Sequence, residues 1–169
     1  MIRTYLLEKS RIVRQLPGER NYHIFYQLLA GSTPEQREEY GLGSAEEYFY
    51  LNQSGCLTVD SVDDSEVFMA TKQAMSTIGI KADEQAHIFK LVASILHFGN
   101  IEFKFNESTN SCSIVNENAL KMGCKLIQVD PSAIAKTFLT RNIVAVRESY
   151  IVQLTKEQAG LFNVHYFLF

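Results

Sequence analysis

The longest hydrophobic pattern in the chain has helical spacing and runs from Asp83 to Gly99. Apolar residues recur there every three or four positions, at Ile88, Leu91, Val92, Ile95 and Phe98, and Phe89 and Leu96 widen the stripe. A helix that is apolar around so much of its circumference is expected to be buried on more than one side. Gly99 is expected to end it.

Further helices are predicted before this one. Tyr22, Phe25, Leu28 and Leu29 have helical spacing between Glu19, which places a negative charge at the helix start, and Gly31, a C-terminal cap. Ser32 and Glu35 have the spacing of a capping box for the next helix, in which Pro34 is tolerated in the first turn. Ala45 to Tyr48 suggests a short helix or turn. The pair Asp63-Asp64 is an acidic cap for a helix closed by Gly79.

The second half of the chain mixes helices with short strands. Residues 101–105 alternate apolar and polar side chains, which indicates a half-buried strand, and residues 112–115 are expected to pair back as a hairpin. Helices are predicted from Asn116 to Ile127, with an interruption at Gly123, from Asp130-Pro131 to about Leu139, and again from Thr155. Ile143 to Val146 and Ser149 to Gln153 are predicted as two strands joined near Arg147-Glu148. Near the N-terminus Thr4 to Leu7 is β-prone, and residues 11–15 continue that strand or turn away.

These elements predict an α+β fold that is mainly α-helical, with two small β-hairpins. A chain of 169 residues, 46% hydrophobic and 21% charged, has the size and composition of one globular domain. The net charge of −3 indicates no long-range attraction to nucleic acid or a membrane surface. No apolar run approaches the roughly 18 residues that a membrane helix needs, and we therefore expect no membrane segment and no nucleic-acid partner.

The residues show no catalytic, cofactor-binding or metal-binding motif. A phosphate-binding G-x-x-x-x-G-K-[ST] loop does not occur, and neither does an H-E-x-x-H pair or a Ser/His/Asp order. Cys56, Cys112 and Cys124 are widely spaced and not clustered with histidines, so reduced thiols are expected. His97, beside Phe98, is interpreted as a packed residue with a satisfied ring nitrogen.

Several blocks nevertheless resemble one family in its own order. TYLLEKSR (residues 4–11) and ERNYHIFYQLL (19–29) resemble the myosin motor head after its second nucleotide-contacting loop. The resemblance continues through YFYLNQSGC (48–56), DDSEVFMATKQAMSTIGI (63–80), IFKLVASILHFGNIEF (88–103) and TRNIVAVRESYIVQLTKEQA (140–159). The blocks extend from Arg3 to Ala159, and the spacing of the last one is closer to unconventional myosins than to muscle myosin.

The resemblance implies the upper fifty-kilodalton subdomain of a P-loop NTPase-type head, beginning with one strand of the transducer sheet. In the family, ATP and Mg are held by a P-loop and two switch loops, of the N-x-N-S-S-R and D-I-x-G-F-E types, and none of these occurs here. The parent family is an actin-activated MgATPase of the cytoplasmic actin cytoskeleton, whereas this chain is expected to bind no nucleotide. The implied partners are filamentous actin and the remainder of the head, with calmodulin-type light chains only in a full-length parent.

The actin contact implied by the resemblance is the block from Thr140, which is similar to the family's cardiomyopathy loop. Its candidate actin-binding residues are Arg141, Ile143, Val144, Val146, Arg147, Glu148 and Ser149. Cationic rim groups mainly speed encounter, while apolar tip residues fill pockets on the partner. Glu148 occupies a position where the family carries an acidic or a phosphorylatable residue, so a permanent negative charge is expected there, with Ser149 as the alternative phosphorylation site.

Two alternatives stay open at the level of sequence. The hairpin could be a solvated edge that its charges keep soluble, and the whole chain could be a free-standing, non-enzymatic actin-binding or structural helical module. We expect residues 1–159 to form a partial motor domain and residues 160–169, GLFNVHYFLF, to be an apolar tail that departs from the family pattern. A truncated gene model would account for both ends.

Overall fold

The computed structural model describes residue 8, residues 10–145 and residues 148–154, and this part of the chain is mainly helical. The helices are α1 Ser10–Val13, α2 His23–Gly31, α3 Pro34–Tyr40, α4 Phe49–Asn52, α5 Asp64–Thr77, α6 Ala82–Gly99, α7 Glu117–Ile127 and α8 Pro131–Leu139, with a 3₁₀ turn at Ala45–Glu47. The strands are β1 Phe103–Asn106, β2 Ser111–Ile114, β3 Thr140–Ala145 and β4 Glu148–Gln153. They form two antiparallel hairpins, β1–β2 and β3–β4.

Helix α6 is the long helix that the hydrophobic pattern predicts, and it buries part of the predicted stripe. Phe89, Leu96 and Phe98 are buried, whereas Leu91 is 53% exposed and Ile88 is 37% exposed. The helices α2, α5 and α7 pack on α6, and Ile88 and Leu91 lie on the part of its surface that stays exposed. The prediction of burial was therefore wrong for Ile88 and Leu91.

The larger core cluster lies between α2, α5 and α6. It includes Phe25, Leu28, Leu29, Phe68 and Phe89. The rings of Phe68 and Phe89 lie 4.8 Å apart. Gly31, predicted as the C-terminal cap of α2, is instead its last residue, and Ser32 is the cap. At Gly31 an added Cβ would come within 2.5 Å of Phe68, so the glycine allows α2 and α5 to approach closely.

The sequence predicted that α2 would begin near Glu19, but the helix begins at His23. The residues before it have tertiary partners instead. The Asn21 side-chain amide donates to the carbonyl oxygens of Ile12 (2.9 Å) and Tyr50 (2.8 Å). Arg20 pairs with Asp64 at the start of α5, with Nη2 2.6 Å from Oδ2. These long-range bonds hold residues 20–21 outside the helix.

The capping predictions were right for α5 and displaced by one residue for α3. Asp63 accepts bonds from the backbone amides of Ser65 and Glu66, as predicted. The capping box of α3 is formed by Thr33 and Gln36, not by Ser32 and Glu35. Ser32 instead donates its hydroxyl to the Leu28 carbonyl at 2.6 Å, at the end of α2. Thr33 thus caps the start of α3, whereas Ser32 bonds to a carbonyl group at the end of α2.

A second core cluster joins the end of α6 to α7, α8 and the two hairpins. Its buried members are Phe98, Ile101, Leu120, Cys124, Phe138 and Leu154. Gly123 lies inside α7, which is continuous, so the predicted interruption is absent. An added Cβ at Gly123 would come within 2.5 Å of the Phe98 ring, so this glycine serves the packing of α6 on α7.

The hairpin predictions are confirmed for the described residues. In the first hairpin Phe103 pairs with Ile114 and Asn106 with Ser111. Residues 10–13 form the short helix α1, so they turn away rather than continue a strand. The strand predicted at Thr4–Leu7, the helix predicted from Thr155 and the tail at residues 160–169 lie outside the described residues.

Candidate functional site: the β3–β4 hairpin

The backbone of the β3–β4 hairpin contains most of the predicted site residues. Arg141 pairs with Val152, Ile143 with Tyr150, and Val144 with Ser149, and the last pair joins Ala145 to Glu148. The strands begin earlier than predicted, at Thr140 and Glu148. Val146 and Arg147, which follow β3 in the sequence, lie outside the described residues. The register therefore brings five of the seven candidates, Arg141, Ile143, Val144, Glu148 and Ser149, into one two-stranded ladder.

The hairpin joins the core at its root. Strand β3 begins at the residue after the last residue of α8, and the Thr140 hydroxyl donates to the Lys136 carbonyl at 2.7 Å. On the other strand the Leu154 amide donates to the Leu139 carbonyl at 3.1 Å. Leu154 itself is only 3% exposed and packs in the second core cluster. Sequence reasoning missed Leu154, because the residues that bury it are distant in sequence and no local pattern marks it.

The last residues of β4 present apolar surface to solvent. Ile151 is 59% exposed and Val152 is 38% exposed. Beside them lies an open depression of about 280 Å³ lined by Lys136, Thr137, Thr140 and Ile151.

The comparisons with known proteins agree with the blocks quoted above. A family model described as the myosin head (motor domain) matches residues 1–163. The chain belongs to the myosin head family. Among its curated relatives, the Myosin-J heavy chain of Dictyostelium discoideum is 46% identical over 161 residues, which is 94% of this chain and 7% of the relative.

Other relatives show the same relation to much longer proteins. The Myosin IB heavy chain of Dictyostelium discoideum is 46% identical over 142 residues, covering 84% of this chain and 13% of the relative. Human Unconventional myosin-Vb is 41% identical over 158 residues, covering 93% of this chain and 8% of the relative. The chain thus spans about a tenth of the length of the curated myosins it matches.

Burial is the main cause of the shifted pKa values of His97, Cys112 and Cys124. The Nε2 atom of His97 lies 2.7 Å from the Tyr40 carbonyl oxygen, and burial lowers the pKa of His97, with the bond to Tyr40 opposing the shift. The interpretation of His97 as a packed, satisfied residue is confirmed. Burial likewise raises the pKa values of Cys112 and Cys124, which suppresses their thiolate forms.

No group of three or more His, Cys, Asp or Glu side chains that could hold a metal occurs among the residues the structure describes. The cysteines Cys56, Cys112 and Cys124 are free thiols there. Across the same described ranges, no helix is long and apolar enough to cross a membrane.

A polar cavity of about 250 Å³ lies between the 3₁₀ turn, α4 and the end of α6. Its amide groups are engaged internally: Asn100 accepts from the Phe49 amide at 2.8 Å and donates to the Glu47 carbonyl at 2.7 Å. Asn116 accepts from the Glu102 amide at 2.7 Å. The asparagine side chains that line this cavity therefore hold the surrounding backbone together. Sequence reasoning missed these hydrogen bonds because each one joins residues that are distant in sequence.

Proposed function

We propose that this chain supplies an actin-binding hairpin, β3–β4, to the head of an actin-based, ATP-driven motor of the cytoplasmic actin cytoskeleton. The observation that carries the proposal is the position of the resembling block. Within the block that resembles the family's actin loop, residues 140–145 and 148–153 form a regular antiparallel ladder whose root is fixed in the core. Membership of the myosin head family supports actin as the partner.

The composition of the hairpin supports the same partner. Its sequence from Thr140 to Leu154 contains two arginines, Arg141 and Arg147, and one glutamate, Glu148. Val152 and Ile151 add exposed apolar surface on β4. A partner with an acidic rim and apolar pockets would use both features, the charges for encounter and the apolar groups for slow dissociation.

The proposed role within the motor is mechanical and not catalytic. Phosphoryl transfer needs groups positioned on phosphate, metal and water, and the sequence contains no P-loop, first-switch or second-switch motif that could supply them. ATP and Mg would therefore be bound by other parts of a P-loop NTPase-type head, to which this chain contributes the upper subdomain. Arg141, Ile143, Val144, Val146, Arg147, Glu148 and Ser149 remain the proposed actin-binding residues.

Co-sedimentation with filamentous actin tests the hairpin. The double variant Arg141→Ala/Arg147→Ala is expected to weaken pelleting and to reduce its dependence on salt, because charge contacts are screened by ions. Lys81→Ala is the control: it removes a cation at the opposite end of α6, roughly 27 Å along the axis from the end that packs near the hairpin root. Equal pelleting of the double variant and the wild type would contradict the proposal that the hairpin binds actin. It would favour the alternative that the chain is a structural helical module.

Calorimetry with MgATP tests the catalytic part separately. The chain is expected to give no binding heat, since the phosphate-gripping motifs are absent from its sequence. Tight binding of MgATP by the isolated chain would contradict the proposal that nucleotide is held elsewhere in the head.

A further inference from the structure

The β3–β4 hairpin changes from solvated to buried within two residues at its root. Val152 is 38% exposed and Gln153 is exposed, whereas Leu154 is 3% exposed. The Leu154 amide also donates to the Leu139 carbonyl at 3.1 Å, which ties the end of β4 to the end of α8. Leu154 thus closes the hairpin on the core from the β4 side.

Phe138 fixes the same root from the β3 side. It lies on the last turn of α8, directly before β3, and is buried. Its ring meets that of Phe98 edge-on, with centroids 6.0 Å apart, and that of Phe103 edge-on at 6.4 Å. The three rings therefore connect the end of α6, the first hairpin and the root of the second. Close packing of this kind transmits displacement rather than absorbing it.

The length of the hairpin amplifies small movements at its root. Each strand has six residues, which corresponds to about 20 Å at the usual rise along a strand. A rotation of about 10° at the root would move the tip by roughly 3.5 Å over that length, a displacement larger than a hydrogen-bond length. A partner that contacts the hairpin along its whole length would no longer be aligned with the strands after such a rotation.

We infer that Leu154 and Phe138 are positioning residues that set the orientation of the hairpin for actin without touching actin. The inference rests on the proposed function, because it assumes that actin binds β3–β4. The second core cluster, which contains both residues, keeps the hairpin in one orientation before actin binds. If loosening the root leaves that orientation populated about a tenth of the time, the apparent Kd rises about tenfold.

The test compares two leucine truncations that remove the same atoms from different clusters. Leu154→Ala loosens the hairpin root, whereas Leu28→Ala is the control in the cluster around α2, α5 and α6, where Leu28 is also buried. We expect Leu154→Ala to raise the Kd for filamentous actin about tenfold and Leu28→Ala to leave it near the wild-type value. A wild-type Kd for Leu154→Ala, or equal weakening by Leu28→Ala, would overturn the inference.

Hydrogen exchange supplies a readout that does not involve actin. In Leu154→Ala the amides of β3 and β4 are expected to exchange faster, while those of α2 and α5 keep their wild-type rates. If the wild-type chain does not bind actin, the proposed function fails and the role of the root in actin binding fails with it. If actin binds but hairpin exchange in Leu154→Ala is unchanged, the proposed function stands and the positioning role of Leu154 is overturned. If Leu154→Ala unfolds the chain, Leu154→Val takes its place, with a smaller shift in the same direction, and Leu154→Met is expected to retain wild-type exchange.

Discussion

Replacing Gly123 by alanine tests the packing of α6 on α7. Gly123 is buried within α7, and an alanine Cβ there would come 2.5 Å from Cε1 and 2.7 Å from Cδ1 of Phe98. Ordinary carbon–carbon contacts are about 3.5 to 4.0 Å. The two groups must therefore separate by about 1 Å, which requires either the Phe98 ring or the whole of α7 to move.

Two opposing effects decide the sign of the change in stability. Alanine in a helix interior is more favourable than glycine by about 1 kcal/mol. Overpacking of a well-packed core costs about 1 to 3 kcal/mol. The higher end applies here because Phe98 is buried and the Phe138 ring lies edge-on against it at 6.0 Å, so the ring has little room to turn. We expect Gly123→Ala to lower the free energy of unfolding by about 2 kcal/mol, the higher overpacking cost less the helix-propensity gain.

Urea denaturation of the chain, followed by circular dichroism, measures this difference. A second background separates the two effects: in Phe98→Leu the ring is absent, so Gly123→Ala should become neutral or stabilising by up to about 1 kcal/mol. The variant Lys121→Ala, at an exposed site of the same helix, controls for a general effect of alanine in α7. A Gly123→Ala chain that is more stable than the wild type in the Phe98 background would refute the packing argument.

Three further predictions concern polar groups. Burial lowers the pKa of His97 below its ordinary value, so the unfolded state takes up a proton first as the pH falls; stability should drop below about pH 6.5 and level off once folded His97 is protonated. Urea titrations at several pH values should show a flatter profile for His97→Gln than for the wild type, and an unchanged profile would contradict the assignment. Arg20→Met should cost about 3 kcal/mol or more by leaving the Asp64 carboxylate without its cation, and Arg20→Met/Asp64→Leu should recover most of that loss in the urea midpoint; additive losses would count against a buried pair. Asp63→Ala should lower the unfolding free energy by about 1 kcal/mol through loss of the α5 cap, measured against the exposed Asp60→Ala, and equal effects of the two would exclude the cap.

Local signals predicted the elements whose causes are local. The α6 pattern, the Asp63 cap and the alternation before the first hairpin each depend on residues a few positions apart, and the structure contains all three. The β3–β4 hairpin was found in the same way, because its two β-prone runs are separated by only two residues. Most of the candidate site could therefore be located in the sequence before the fold was known.

Tertiary neighbours decided the rest. Ile88 and Leu91 belong to the same apolar pattern as Phe89 and Phe98, but the neighbouring helices bury only the last two of these four side chains. The start of α2 moved to His23 because Arg20 and Asn21 bond to partners far along the chain.

Distant residues also decide the burial at the root of the β3–β4 hairpin. Leu154 is buried because α8 and the end of α6 converge beneath it, and no pattern within a few residues of it records that convergence. The amino-acid sequence by itself determined which segments form helices and strands, since propensities and caps act over one or two turns. Only the tertiary structure decided which faces are buried, because burial depends on the surfaces that distant segments bring together.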